Sequence, residues 1–181
     1  MQRSALAVAA ALTVQAVLVA AVPLHESWVR AYGRAVTVAV DPVDPYDPVR
    51  GYYARFTYRG MVPELRGFDE HARDGAPVWV VLDVSRPDQP ARPVRLARSP
   101  ADAGHNEAVM RAHYLIGTSQ CPGCRALIVK PDAWYADRDQ VQALGPALND
   151  HQAVAELRVT AGGDASLVRL RPSGGGMGHG G

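Results

Sequence analysis

The pattern of apolar and polar positions begins with one long apolar run. Residues 5–22, ALAVAAALTVQAVLVAAV, contain two polar side chains, Thr13 and Gln15. As a helix this run is about 27 Å long, close to the roughly 30 Å of a bilayer core. Arg3 precedes it, which favours a cytoplasmic N-terminus. We predict a membrane anchor at residues 1–24, with a cleaved signal sequence as the alternative, and an extracytoplasmic (periplasmic) remainder in either case.

Short alternating segments follow a predicted linker at residues 25–34. YYARFTY at 52–58 alternates as a half-buried strand does, with Tyr52, Ala54, Phe56 and Tyr58 on one face. PVWVVLDV at 77–84 is apolar on both faces, as a buried strand is. The other predicted strands are AVTVAV at 35–40, an edge strand PVRLAR at 93–98, and VMRAHYLIG and RALIVK at 109–117 and 125–130, joined through TSQCPGC.

The last third of the chain predicts a helix and a hairpin. Asp137 suits the N-cap of a helix over ADRDQVQAL, with Val141, Leu144 and Leu148 as its apolar stripe and Gly145-Pro146 ending or kinking it. AVAELRVTA and SLVRLR form a hairpin around Gly162-Gly163-Asp164, and we expect the second strand to point Val168 and Leu170 inward.

Together these segments predict a mainly β domain at 35–172, barrel- or sandwich-like, with one short helix. A single transmembrane helix precedes the domain, and a disordered glycine-rich tail at 173–181 follows it. The net charge of +1 gives no basic field, so we expect no nucleic-acid partner.

The segment DPVDPYDPVRGYYARFTY at 41–58 carries the first candidate chemistry. Three Asp-Pro steps put Asp41, Asp44 and Asp47 roughly on one side of an extended chain, where they could hold calcium. The favoured interpretation is a turn that proline stiffens and aspartate caps. Calcium loops add glycine and carbonyl ligands at a spacing that this segment lacks.

The same segment resembles the signature of the GDYXXLXY proteins, which are small membrane-anchored bacterial proteins of uncharacterised function. The pattern of that family runs Asp-Pro-x-Asp-x-x-Arg-Gly-Asp-Tyr-x-x-Leu-x-Tyr. Tyr52 stands where the family has aspartate, and Phe56 stands where it has leucine. The matching positions are Asp44, Pro45, Asp47, Arg50, Gly51, Tyr53 and Tyr58.

The departure at Tyr52 makes one face of the strand wholly aromatic and apolar, which favours packing or contact over carboxylate chemistry. Arg50 can clamp Asp44 or Asp47 with two hydrogen bonds, and Gly51 permits a close approach of the backbone. We therefore expect the motif residues, Phe56 included, to be structural or to bind a partner.

Cys121 and Cys124 in CPGC are the only cysteines. A Pro-Gly centre suits a type II turn, which brings the two thiols together, and an extracytoplasmic domain permits a disulfide. Half of a zinc site is the next hypothesis, although His105, His113 and His151 lack paired spacing. A redox pair is the third, but no long helix follows the first cysteine.

Two further sites receive less support. Met177 and His179 in the tail offer a soft metal only two ligands on a flexible chain. Ser27 and Lys130, the only lysine, are the residue types of a membrane-bound serine–lysine hydrolase, but no such motif surrounds Ser27.

The sequence therefore predicts a membrane-anchored extracytoplasmic protein of the GDYXXLXY type, a non-enzymatic interaction or structural module of the bacterial envelope without a cofactor. The expected partners are the cytoplasmic membrane, through the helix, and another membrane or envelope protein. A metal- or redox-handling protein that uses Cys121 and Cys124 is the alternative, and a membrane-bound hydrolase is the lesser one.

Overall fold

The computed structural model describes residues 2–43, 53–117 and 124–174, with side chains from residue 12 onward. These residues form two α-helices, one short 3-10 helix and nine strands. The helices are α1 (Gln2–Tyr32) and α2 (Arg138–Asn149), and the 3-10 helix is Pro100–Asp102. The strands are β1 (Arg34–Pro42), β2 (Tyr53–Tyr58), β3 (Pro77–Asp83), β4 (Arg92–Ala97), β5 (Glu107–Ile116), β6 (Arg125–Val129), β7 (Ala133–Tyr135), β8 (Ala153–Val159) and β9 (Ala165–Pro172).

The strands form two antiparallel sheets around one core, and the mainly β, barrel-like fold is confirmed. One sheet has the order β7-β2-β1-β8-β9, and the other has the order β4-β3-β5-β6. Ala91, just before β4, joins them by donating its backbone N–H to the Thr37 carbonyl oxygen of β1 at 2.7 Å. The predicted edge position of β4 is confirmed as well.

Alternating side chains fill the space between the sheets, as the pattern predicts. Val36, Val38 and Val40 of β1 are buried in the same core as Phe56 and Tyr58 of β2. Strand β3 is apolar on both faces because it serves two clusters: its even-numbered residues 78–82 join the main core, and Val81 joins a smaller cluster with Ala97 and Val109.

Helix α1 continues through residues 25–32, within the segment 25–34 that the sequence predicts as a linker. The helix is about 46 Å long, and its large apolar side chains from Leu12 to Leu24 are each at least 59% exposed. By length and composition it is apolar enough to span a membrane. Its last turns pack on β8 and β9, and Val29 is only 1% exposed. This packing stabilises the helix through residues 25–32, where the sequence shows no apolar periodicity.

Helix α2 begins as predicted, because the Asp137 side chain accepts a hydrogen bond from the Gln140 N–H at 2.9 Å. Leu144 and Leu148 are buried, and Val141 packs against them. Of the two predicted effects of Gly145-Pro146, an end of the helix is wrong, since the helix runs on to Asn149, and a kink stays a prediction. The burial of Leu148 in the core explains why the helix continues past the proline.

The β8–β9 hairpin is confirmed, but one side chain of β9 points the other way. The register shifts between Glu156 and Leu157, so that Leu157 pairs with Leu167 and Glu156 pairs with Arg169. Val168 is the extra residue of this bulge and is 49% exposed, whereas Leu167 and Leu170 are buried. The prediction of an inward Val168 is wrong, because simple alternation does not hold across a bulge.

The turn of this hairpin also ties the two sheets together. The Trp79 indole N–H donates to the Gly162 carbonyl oxygen at 2.9 Å, and the Arg111 N–H donates to the Gly163 carbonyl oxygen at 2.8 Å. Gly163 has a φ of 92°, and a Cβ there would lie 2.8 Å from the Trp79 ring. Glycine is therefore required at this position, because the turn is pressed against the second sheet.

Candidate functional site

Strand β2 carries the motif residues that the structure describes, and all three are packed. Phe56 is 2% exposed and meets Tyr58 edge to face with ring centres 5.4 Å apart. The Tyr58 hydroxyl donates to the Pro131 carbonyl oxygen at 2.5 Å, and burial raises its pKa above the ordinary value. Tyr53 stacks on the exposed Tyr135 of β7 with ring centres 5.6 Å apart. These contacts join β2 to β7 and to the core.

The other motif residues, Asp44, Pro45, Asp47, Arg50 and Gly51, lie outside the described residues, as does Tyr52. The expected clasp between Arg50 and the two aspartates therefore stays a prediction, and so does the stiffened turn that is favoured over a calcium site on the Asp-Pro run.

Asp41, the first aspartate of the run, lies in a cluster with Arg59 and His151, which we call the Asp41 cluster. Arg59 Nη2 donates to Asp41 Oδ1 at 2.6 Å, and Arg59 Nε donates to the same oxygen at 3.0 Å. His151 Nδ1 lies 2.8 Å from Asp41 Oδ1. Arg59 Nη2 also donates to the His151 carbonyl oxygen at 2.6 Å. One guanidinium thus fastens the end of β1 to the segment between α2 and β8.

The backbone of His151 is unusual for a residue other than glycine, with a φ of 56°. It follows the C-cap Asp150 of α2, and its N–H donates to the Leu148 carbonyl oxygen at 3.0 Å. This is the left-handed position that often ends a helix. The conformation lets the ring reach Asp41 while the carbonyl oxygen accepts from Arg59.

Replacing Asp41 by asparagine should lower the free energy of unfolding by about 1 kcal/mol at pH 7, because a charge-assisted contact is lost. Hydrogen bonds from Arg59, helped by His151, hold the pKa of Asp41 below its ordinary 3.8. Because folding lowers this pKa, ionised Asp41 stabilises the folded state at pH values above its ordinary pKa. This contribution is lost as the pH falls through the pKa of the folded state. The difference between wild type and variant should therefore shrink from pH 7 to pH 3.

Urea denaturation of the full chain in detergent micelles at both pH values measures this difference. Asp88→Asn changes an exposed turn residue and is the matched control, for which we expect no effect. A difference for Asp41→Asn that stays constant down to pH 3 would show that the charge of Asp41 does not carry the effect.

The cysteine hairpin is described only in part. The Gly117 N–H donates to the Cys124 carbonyl oxygen at 2.8 Å, so β5 and β6 are joined as predicted. Cys121 lies outside the described residues, and the disulfide, zinc and redox hypotheses stay predictions. His105, His113 and His151 occupy exposed positions on separate elements. In the described part of the chain, no three His, Cys, Asp or Glu residues are grouped as metal ligands are.

The two residues of the hydrolase hypothesis have other contacts. The Ser27 hydroxyl donates to the Pro23 carbonyl oxygen of its own helix at 2.8 Å. Lys130 Nζ lies 2.6 Å from Asp132 Oδ1. Met177 and His179 lie outside the described residues.

A polar clasp holds the end of α1 on the hairpin of β8 and β9. Ser166, 1% exposed, donates its hydroxyl to Glu26 and accepts from Arg30 Nε at 2.9 Å. Arg30 also donates to the Leu167 carbonyl oxygen at 3.4 Å and lies 3.4 Å from Glu26 Oε1. We call Glu26, Arg30 and Ser166 the helix clasp. It joins the apolar helix directly to the β domain.

The sequence also matches a protein-family model. The GDYXXLXY protein family matches residues 15–170. The chain belongs to the GDYXXLXY family. The match starts inside α1 and ends inside β9, so the family unit includes the second half of the apolar helix together with the β domain. Comparisons with curated proteins and with solved structures found no match.

Within this GDYXXLXY protein, sequence reasoning missed the Asp41 cluster and the helix clasp. Arg59 directly follows the motif strand, so pairing of β1 with β2 could have suggested its contact with Asp41. Glu26 and Arg30 have the i, i+4 spacing of a helical ion pair. Nothing in the sequence indicates that Ser166 contacts Arg30 or that His151 contacts Asp41, because these contacts span more than 100 residues.

Proposed function

We propose that this GDYXXLXY protein is a single-pass protein of the cytoplasmic membrane whose β domain lies on the extracytoplasmic side. The domain acts as a non-enzymatic module that contacts another membrane or envelope protein. The observation that carries the proposal is the helix clasp. It makes the apolar helix and the domain one continuous body, so the faces that the domain presents are fixed relative to the helix.

The side chains along α1 support the membrane part of the proposal. The large apolar side chains from Leu12 to Leu24 are 59% to 74% exposed, and a bilayer would bury this surface. Beyond them, Trp28 and Tyr32 are 50% and 76% exposed and neighbour each other on the helix surface. Aromatic residues at this point are typical of the membrane–water boundary. The domain then begins at the membrane surface.

Site-directed photocrosslinking in intact membranes tests the proposal. A photoreactive residue is placed in turn at exposed positions of the domain, such as Val62, Val94, Tyr135 and Val168. We expect crosslinks to a distinct membrane protein from one face only, with the full-length chain retained in the membrane fraction. Crosslinks from no position, or a chain released into the soluble fraction after cleavage of the helix, would contradict the proposal.

The same preparation tests the metal or redox alternative. Titration of free thiols and measurement of bound zinc and copper should give neither free thiols nor stoichiometric metal. Free thiols together with one equivalent of bound metal would contradict the interaction-module proposal and support the metal or redox alternative.

A further inference from the structure

A groove runs between helix α2 and the edge strand β9. Its volume is about 590 Å³, which lies within the range of ligand-binding clefts. Helix α2 lines the groove with Ala143 and Leu144, β9 lines it with Val168 and Leu170, and β7 adds Trp134. Nothing in the motif strand or the helix clasp uses this groove.

The β9 wall is a sheet edge. Within the part of the chain that the structure describes, β9 pairs with β8 alone, and β7, the other end strand of this curved sheet, reaches the groove with Trp134. The outer edge of a strand offers N–H and C=O groups that can pair with another strand. Many proteins bind extended peptides in this way, with pockets for alternate side chains beside the edge.

The side chains of the groove are suited to an apolar segment. Leu144 and Leu170 are buried and belong to the core, so the floor is rigid. Val168 at the bulge is 49% exposed and stands at the rim. An exposed valine on an unpaired edge gains burial when a second strand covers it.

The charge of the β9 edge distinguishes three candidate occupants of the groove: a second copy of the chain, residues 175–181, and a segment of a partner protein. Arg169 and Arg171 both contact the single carboxylate of Glu156, which leaves an excess of one positive charge at the rim. A second copy of the chain would bring like charges together across the new pair of strands, which is unfavourable. Residues 175–181 contain no acidic side chain and one apolar side chain, Met177.

We propose that this groove binds an extended segment of a partner protein, with alternating apolar side chains and a carboxylate, which adds to β9 as a further strand. The inference rests on the proposed function and names the surface that serves it. The partner's apolar side chains contact Val168 and the groove floor, and its carboxylate meets Arg169.

Peptide selection against the full chain in lipid nanodiscs tests the proposal. The probe is a phage-displayed library of random twelve-residue peptides, with empty nanodiscs as the background. An enriched peptide is then synthesised and its affinity is measured for wild type, Val168→Asp and Val94→Asp. The last is the matched control, since Val94 is 41% exposed on the edge strand β4 of the other sheet.

We expect acidic, apolar peptides whose affinity falls by about tenfold or more in Val168→Asp, a change of about 1.4 kcal/mol, and is unchanged in Val94→Asp. Hydrogen exchange of the β9 amides should slow when the peptide binds. Ala143→Trp fills the groove from an exposed helix position, so it gives an independent test if Val168→Asp impairs folding. Equal binding by wild type and both groove variants, or binding without protection of β9, overturns the proposal.

Other outcomes identify other occupants and also overturn it. Tighter peptide binding after removal of residues 175–181 would assign the groove to the tail, and a dimer that Val168→Asp abolishes would assign it to a second copy. Failure to select any peptide, together with crosslinks from another face of the domain, would reject the groove and leave the proposed function standing. If no peptide is selected and no crosslink forms from any face, both the groove proposal and the proposed function are rejected.

Discussion

Replacing Phe56 by alanine is expected to lower the free energy of unfolding by about 3 to 5 kcal/mol. The side chain is 2% exposed, lies between the two sheets and contacts the ring of Tyr58. The substitution loses the free energy that burial of the ring contributes. It also leaves a cavity that the surrounding strands cannot close fully. Chemical denaturation of the full chain in detergent micelles measures the loss.

Two further substitutions make this result specific to the motif position. Phe56→Leu introduces the residue of the family pattern and should cost about 1 kcal/mol, because most of the apolar volume is kept. Tyr135→Ala removes an aromatic ring that is 74% exposed on the neighbouring strand and should cost at most about 1 kcal/mol. Equal losses for Phe56→Ala and Tyr135→Ala would mean that Phe56 does not serve as a core residue.

The fold could be predicted from the sequence wherever burial follows the strand period. The alternation in β1 and β2 gives the inward faces, and the doubly apolar β3 gives the central strand. The motif and the apolar run also suffice to indicate the family. Each of these signals is local, because the residues that carry it are neighbours in the chain.

The parts that could not be predicted depend on contacts between distant segments. The three-residue strand β7 is too short to show a period, and the bulge at Val168 arises from the pairing with β8. The helical continuation to Tyr32 packs on β8 and β9 and contacts Ser166, which lies more than 130 residues away. Arg59 and His151 meet Asp41 only because the pairing of β2, β1 and β8 brings three chain segments to the same end of neighbouring strands. Such contacts are set by tertiary packing, which single-sequence patterns do not contain.

The junction between helix and domain depends on Gly33, and Gly33→Ala is expected to lower the free energy of unfolding by about 2 to 3 kcal/mol. A Cβ at this position would lie 2.6 Å from the Val29 carbonyl oxygen, 2.8 Å from the Val159 nitrogen and 3.0 Å from the Arg158 carbonyl carbon. All three are backbone atoms, so the last turn of α1 must move away from β8. The helix clasp then loses its geometry, since Arg30 can no longer reach Ser166.

Denaturation and limited trypsin digestion of the full chain in micelles measure the two consequences. Cleavage after Arg30 and Arg34 should be faster in Gly33→Ala than in wild type, because an undocked helix end exposes both sites. Gly174→Ala is the matched control: a Cβ at this exposed turn position meets no atom within 4 Å, so we expect no loss of stability. If Gly33→Ala is as stable and as resistant to trypsin as this control, the helix and the domain are not rigidly joined, and the orientation on which the proposed function depends is lost.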